Sequence, residues 1–388
     1  MQHYISADWI FPIETAPVQN GVIGLDADGT ITAVLTPEQA QQMRLEGIVS
    51  YKGAIIPGLI NTHCHLELSH LFKKIDEHTG LPQFIRQILA LRAQPEDEII
   101  AAMQKADEAM YANGIVAVGD ISNQLDSKPV KLQSKIYYHT FVEVFGFSRP
   151  AAPVIEAGLK LRADFSPLKA SVVPHAPYSV SSSLFAEIKK ANTEDDILSI
   201  HNQETAGENE LFSKGTGKLA DFFASVGIPP HEAQASGQNA IRYHLPQLNQ
   251  TLNTLLVHNT MSELEDVQFA EQAHANLYWC LCPNANLYIE NCLPDVNMFK
   301  AQQVALTLGT DSLASNHQLN VLAEMKTLQD RLQIPFADSL QWATLNGAMF
   351  LNIDSTFGSL KVGKKPGLNL VQLSADFKLE SDQVQRLF

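Results

Sequence analysis

His63 and His65 flank a single residue at the end of an apolar run, AIIPGLINTH (54–63), and that spacing suits a metal ion. Side chains alternate across a β-strand, so residues two apart project to the same side. Two imidazoles placed in this way can grip one ion. A His-x-His pair alone is a weak sign, because two satisfied histidines near a strand end are commoner. Three later runs strengthen it: ILSIH (197–201) ends in His201, TLLVH (254–258) in His258 and VALTLGTD (304–311) in Asp311. Each puts a ligand-type residue where a core pattern calls for Val, Ile or Leu. Imidazole nitrogens with a carboxylate oxygen suit a borderline-hard divalent ion and leave room for water. Glu204 follows His201 by three residues. From there a carboxylate reaches water held at such an ion and can shuttle its proton to a substrate. Taken alone, Glu204 reads as an exposed loop glutamate.

Something must bring these positions together. Apolar, strand-like runs recur at 54–63, 114–122, 135–146, 169–177, 197–201, 254–258, 275–283 and 304–311. Amphipathic stretches such as DEIIAAMQKADEAMYANG and SSSLFAEIKKAN separate them, and Gly114 stops the first of these. Eight buried-type strands alternating with helices predict a (β/α)8 TIM barrel, in which parallel strands carry all their C-terminal ends to one face. A doubly wound open sheet is the alternative, but no glycine-rich phosphate loop follows an early strand. Before and after this region the pattern is of short strands and turns. VIGLDADGTITAVL reads as a hairpin about Asp28-Gly29. Residues 1–54 with 358–388 are therefore expected to form a small β-sandwich domain, and 55–357 the barrel.

Composition excludes some partners. The 388 residues are 45% hydrophobic and 18% charged, ordinary for a globular protein. With 27 Lys+Arg against 42 Asp+Glu the net charge is -15, which repels nucleic acid and anionic lipid. A small ligand whose anionic group meets one local arginine is not excluded. No apolar run has the length of a membrane span and the start lacks a signal-like pattern, so a cytoplasmic protein is expected. Cys64, Cys280, Cys282 and Cys292 fit neither a disulfide framework nor a C-x-x-C zinc knuckle, and read as reduced structural thiols.

Five motifs in order, P-G-L-I-N-T-H-C-H-L-E-L-S, V-P-H-A-P-Y-S-V-S, H-N-Q-E-T, L-V-H-N and L-G-T-D-S-L-A-S-N, resemble the amidohydrolase superfamily over residues 54–373. They look like its aminopurine-deaminase branch, of guanine, S-adenosylhomocysteine and aminodeoxyfutalosine deaminases. The resemblance implies His63, His65, His201 and Asp311 as ligands of one divalent metal, zinc or iron. It implies Glu204 as the proton shuttle and His258, with Asp311, as the groups that orient water. Two-metal relatives carry a modified lysine on the fourth strand; here that strand ends in His175 and its Lys169 sits at the other end. HLELSHL and HNQETAGENELFSKGTGKLADFF look like the aminodeoxyfutalosine deaminases of menaquinone synthesis. Asn202-Gln203, CPNANLYIEN and Gly367-Leu368-Asn369 depart from the family wording and bear on the substrate rather than the metal.

The expected reaction is hydrolytic deamination of an aminopurine nucleoside, with 6-amino-6-deoxyfutalosine as the substrate indicated. S-adenosylhomocysteine, adenosine and guanine remain alternatives. His175 and Tyr178 would face the substrate ring, Glu67 a ribose hydroxyl, and Arg86 or Arg149 a substrate carboxylate. Hydrolysis of a cyclic amide or triazine is a rival for the same metal centre. A non-catalytic binding protein would have lost ligands, and none is missing. The paired H-x-E and P-C-x-x-C signature of cytidine deaminases is absent. Whether a homodimer forms is left open.

Overall fold

The computed structural model describes residues 3–388 and has two sets of strands. The terminal set is one hydrogen-bonded sheet: β1 (His3–Ile10), β2 (Val18–Gln19), β3 (Val22–Leu25), β4 (Ile31–Leu35) and β5 (Val49–Pro57), joined by β14 (Leu368–Val371) and β15 (Gln385–Arg386). Its order is β15-β14-β5-β1-β3-β4, with β2 added on β1, so strands from both ends of the chain interleave. The expected hairpin is β3–β4, with Gly29 at φ 89° in its turn. This sheet covers its own apolar core, which includes Ile5, Ile10, Ile23, Ile55, Leu368 and Leu370.

The second set is β6 (Leu59–Cys64), β7 (Ile115–Ser122), β8 (Tyr137–Val144), β9 (Lys169–Pro174), β10 (Leu198–Asn202), β11 (Thr254–His258), β12 (Leu277–Leu281) and β13 (Leu306–Leu308). They pair in parallel as two runs in chain order, β6 to β9 and β10 to β13. The runs meet at both seams. His201 N donates to His175 O at 3.0 Å between β10 and the end of β9, and Thr310 N and Asp311 N both donate to His63 O at 3.1 Å. Eight parallel strands alternating with helices and joined in this way match the (β/α)8 barrel that the sequence pattern predicts. Strands such as β7 are buried at every residue, as sheets covered on both faces require.

One strand boundary differs from expectation. The run 54–63 is two strands: Ala54–Pro57 ends β5 and pairs with β14, and β6 starts at Leu59. Both halves are buried and apolar, so hydropathy does not separate them. Gly58 does, because a Cβ there would lie 2.2 Å from a Val116 methyl and 2.5 Å from Pro366 O.

Candidate metal centre and active site

The ligand-type residues come together at one end of the barrel. His63 lies at the end of β6 and His65 just past it, His201 lies in β10, and His258 is the last residue of β11. Asp311 stands three residues past β13, on a turn that crosses back over β6. Gly309 makes that crossing feasible, since a Cβ there would lie 2.8 Å from His63 Cβ and 2.9 Å from Cys280 Sγ. His258 and Asp311 hold φ of 74° and 57°, a left-handed backbone costing about 1–3 kcal/mol for a residue with a side chain. Strain of this kind, held by the surrounding bonds, is typical of functional sites.

Four ligand atoms face one another. His65 Nε2 lies 3.1 Å from His63 Nε2 and 3.3 Å from His201 Nε2. Asp311 Oδ1 lies 3.5 Å from His63 Nε2 and 3.4 Å from His65 Nε2. His201 Nδ1 donates to the His175 carbonyl at 2.8 Å, so its proton sits there and its Nε2 presents a bare lone pair. Burial pushes His65 down to about 3 against the pull of Asp311, and burial with repulsion from the neighbouring histidines holds His201 well below the usual histidine range. Burial works to raise Asp311, but His63, His65 and His258 outweigh it and hold the carboxylate well below its normal value. Neutral imidazoles facing one another beside an ionised carboxylate form a donor set that a cation would satisfy. Bonds of about 2.0–2.1 Å to a tetrahedral ion would place ligand atoms roughly 3.4 Å apart, close to the 3.1–3.5 Å of these four pairs. The residues fit a divalent ion. Behind them, Ser315 Oγ donates to Asp311 Oδ2 at 2.5 Å.

Glu204 and His258 stand beside this cluster. His258 Nδ1 lies 2.9 Å from Asn286 Oδ1 and donates to it, which turns Nε2 toward Glu204 Oε1 at 3.7 Å. Burial raises the Glu204 carboxyl to about 7, a value suited to both taking and giving a proton near neutral pH. Above them opens a cavity of about 270 Å³. Its floor is His65, His175, His201, Glu204, His258 and Asp311, and its walls are mostly apolar. Phe84, Ile85 and Ile88 come from the helix Leu81–Leu91, Phe222 and Phe223 from the helix Lys218–Ser225, and Phe145 and Phe147 from the loop after β8.

His175 and Tyr178 line this cavity, with Ser179 Oγ 2.7 Å from His175 Nδ1. Three expected contacts do not. Both carboxylate oxygens of Glu67 accept backbone N–H groups, from Asn123 and Gln124 at 3.0 Å, so Glu67 braces the loop after β7. Arg86 lies over the Phe222 ring, 4.9 Å from its centroid, and donates to Ser225 at 2.5 Å. Arg149 donates to Phe145 O at 2.7 Å and Gly146 O at 3.4 Å and faces neighbouring grooves. Arg92, which sequence reasoning passed over, is the one Lys or Arg among the described residues that lines the cavity. Glu143, also passed over, lines it from β8. The rule that found His201 and His258 applied to Glu143 as well: it is a charged residue near the end of an apolar strand.

Comparison with known proteins finds similar chains. An adenosine deaminase of Helicobacter pylori is 25% identical over 343 residues, covering 86% of this chain and 82% of the relative. An aminodeoxyfutalosine deaminase of Nitratiruptor is 27% identical over 335 residues, covering 82% and 79%. The crystal structure of Helicobacter pylori aminofutalosine deaminase superposes with a TM-score of 0.82 at 21% identity, covering 97% of this chain and 94% of that one. The amidohydrolase family model matches residues 54–387, a span that takes in every barrel strand and all the ligand-type residues. On that match the chain belongs to the amidohydrolase family and is a hydrolase acting on carbon–nitrogen bonds.

Proposed function

We propose that this enzyme deaminates an aminopurine nucleoside hydrolytically, with 6-amino-6-deoxyfutalosine, and so menaquinone synthesis, as the favoured case. The observation that carries the reading is the floor of the cavity. Four converging ligand atoms stand beside a buried glutamate poised near 7, beneath a space lined by aromatic rings. His63, His65, His201 and Asp311 would hold one divalent ion, zinc or iron. When bound, it supplies the Lewis acidity that lets water lose a proton near neutral pH.

The chain's own groups do the rest. Glu204 takes the proton from water and passes it to the ring nitrogen beside the amino-bearing carbon, making that carbon electrophilic. His258, fixed by Asn286, and Asp311, fixed by Ser315, orient the attacking oxygen. Water's oxygen joins the carbon, the carbon–nitrogen bond breaks, and the amino group leaves as ammonia with a second proton. Tyr178 and Phe145 each stand edge-on to His175, with ring centroids 5.8 Å apart in both pairs, and form a slot for a flat heterocycle. The apolar walls suit an aryl or alkyl group beyond the sugar, and Arg92 suits a carboxylate on it.

Support for a nucleoside comes from the relatives, whose names include adenosine and aminodeoxyfutalosine deaminases. The test is ammonia release from 6-amino-6-deoxyfutalosine, S-adenosylhomocysteine, 5′-methylthioadenosine, adenosine and guanine, with wild type and Arg92→Met. The carboxylate-bearing nucleosides should lead in the wild type. They should lose roughly 10- to 100-fold in kcat/KM in Arg92→Met, as expected when a charged partner is removed. Guanine or a cyclic amide outpacing every nucleoside would overturn the assignment.

A further inference from the structure

Glu143 has no part in the reaction as described, yet its placement is unusual. It lies in β8, its side chain is 4% exposed, and it lines the cavity. One carboxylate oxygen is held: Asn123 Nδ2 donates to Oε2 at 3.2 Å. The other, Oε1, is buried without a hydrogen-bond partner. His201 Nδ1 is 3.5 Å away, but its single proton already goes to the His175 carbonyl at 2.8 Å. A buried acceptor without a donor is costly, and natural proteins leave few of them. This one borders the space where a substrate fits.

A second cation does not account for it. Glu143, His175 and His201 do bring ligand-type atoms within 4.8 Å of one another. However, His201 Nδ1 is bound to a carbonyl and its Nε2 faces His65, so only two of the three have an atom to spare.

We propose that Glu143 Oε1 accepts a hydrogen bond from a sugar hydroxyl of the substrate. This rests on the aminopurine nucleoside reading and deepens it. The chemistry of the ligand narrows the choice. The ring nitrogens of a 6-aminopurine nucleoside are acceptors and its only base donor is the amino group. That group must sit over the floor, beside Glu204, for the reaction to occur. No other part of the base offers a proton to an acceptor on β8, whereas the sugar's 2′ and 3′ hydroxyls do. Glu67, the acidic residue closer to His65 in sequence, has both oxygens occupied by backbone groups. Glu143 thus becomes a specificity-determining residue that separates ribosides from bases and from deoxysugars.

The experiment compares adenosine with 2′-deoxy-, 3′-deoxy- and 2′,3′-dideoxyadenosine in wild type, Glu143→Ala and Glu143→Gln. Metal content and thermal midpoint are measured on the same samples. The wild type should prefer adenosine over the dideoxy analogue by about 10- to 100-fold in kcat/KM, the scale of a hydrogen bond to a charged group. Glu143→Ala should collapse that preference to within about threefold of unity, a coupling that removal of a merely structural carboxylate does not produce. Glu143→Gln keeps the shape and guards against a folding defect. It should retain one ion per chain and show an intermediate preference. Equal losses on adenosine and the dideoxy analogue, no wild-type preference, or a second bound ion that Glu143→Ala removes would each overturn the inference while leaving the deaminase reading intact. A wild type that deaminates no purine nucleoside overturns both.

Discussion

Glu204 should trade stability for turnover, and the size of the trade follows from its surroundings. Burial raises its carboxyl from 4.5 to about 7, partly offset by His258 and reinforced by Asp311 and Glu290. A carboxyl whose folded value exceeds its unfolded value favours folding fully below the unfolded value. That advantage is lost as pH rises through the folded value. Between pH 4.5 and 7 the ionised side chain therefore becomes a growing burden on the ion-free protein, reaching about 3 kcal/mol at pH 8 at 1.36 kcal/mol per pKa unit. Glu204→Gln removes that burden and keeps the shape. Chelator-treated Glu204→Gln should unfold at a higher temperature than chelator-treated wild type at pH 8. The gap should shrink to below about 1 kcal/mol at pH 5. The same change should cut turnover by about a hundred- to ten-thousandfold, the range for loss of a positioned acid–base group, without reducing metal content. The measurements are thermal unfolding of ion-free protein at the two pH values, ammonia release, and elemental analysis. Coincident midpoints at pH 8, or a gap that widens toward pH 5, would refute the electrostatic argument. Full activity in Glu204→Gln would refute the proton-shuttle role.

The metal centre gives a further expectation: elemental analysis should find about one divalent ion per chain. Ser315→Ala, which strips Asp311 Oδ2 of its 2.5 Å hydrogen bond, should weaken its binding by about 10- to 100-fold in a chelator competition. At the other end of the molecule, Ser359, Lys361 and Lys364 lower the Glu14 carboxyl from 4.5 to about 2, tying the start of the chain to its tail. A depressed carboxyl stabilises above its unfolded value and loses that contribution as pH falls toward the folded one. Wild type should accordingly outlast Glu14→Gln in urea at pH 6 and lose that advantage between about pH 4.5 and 2.

Residues of the candidate centre stood out in the sequence because they break a strong rule. His201, His258 and Asp311 put polar groups where apolar strands end, and parallel strands send those ends to one place. The arginines obey no such rule. Which carbonyl, hydroxyl or ring takes a guanidinium depends on how a helix or loop packs, so Arg86 goes to Phe222 and Ser225 and Arg149 to its own loop's carbonyls. Arg92, six residues past Arg86, lies at the end of the same helix and reaches the cavity. Periodicity does not distinguish these fates. Glu67 has a carboxylate's chemistry but is satisfied by backbone that only the folded loop after β7 presents. The split of 54–63 was hidden for a related reason: antiparallel and parallel buried strands share one composition, and only contacts reveal which sheet owns each half.

The crossing of Asp311 over His63 also matters for how the barrel moves. There the last barrel strand meets the first, through two backbone bonds to His63 O and a bridge between Cys64 and Asp311. His201 reaches the same point from β10, on the other run of strands. An ion gripped by all four ligands would act as a clasp on this seam, linking segments nearly 250 residues apart in the chain. Opening the seam would then require releasing the ion. Amide exchange along β6 and the 309–311 turn should accordingly be slow in loaded protein and quicken once the ion is removed. Metal loading would set how often this barrel breathes as well as whether it turns over.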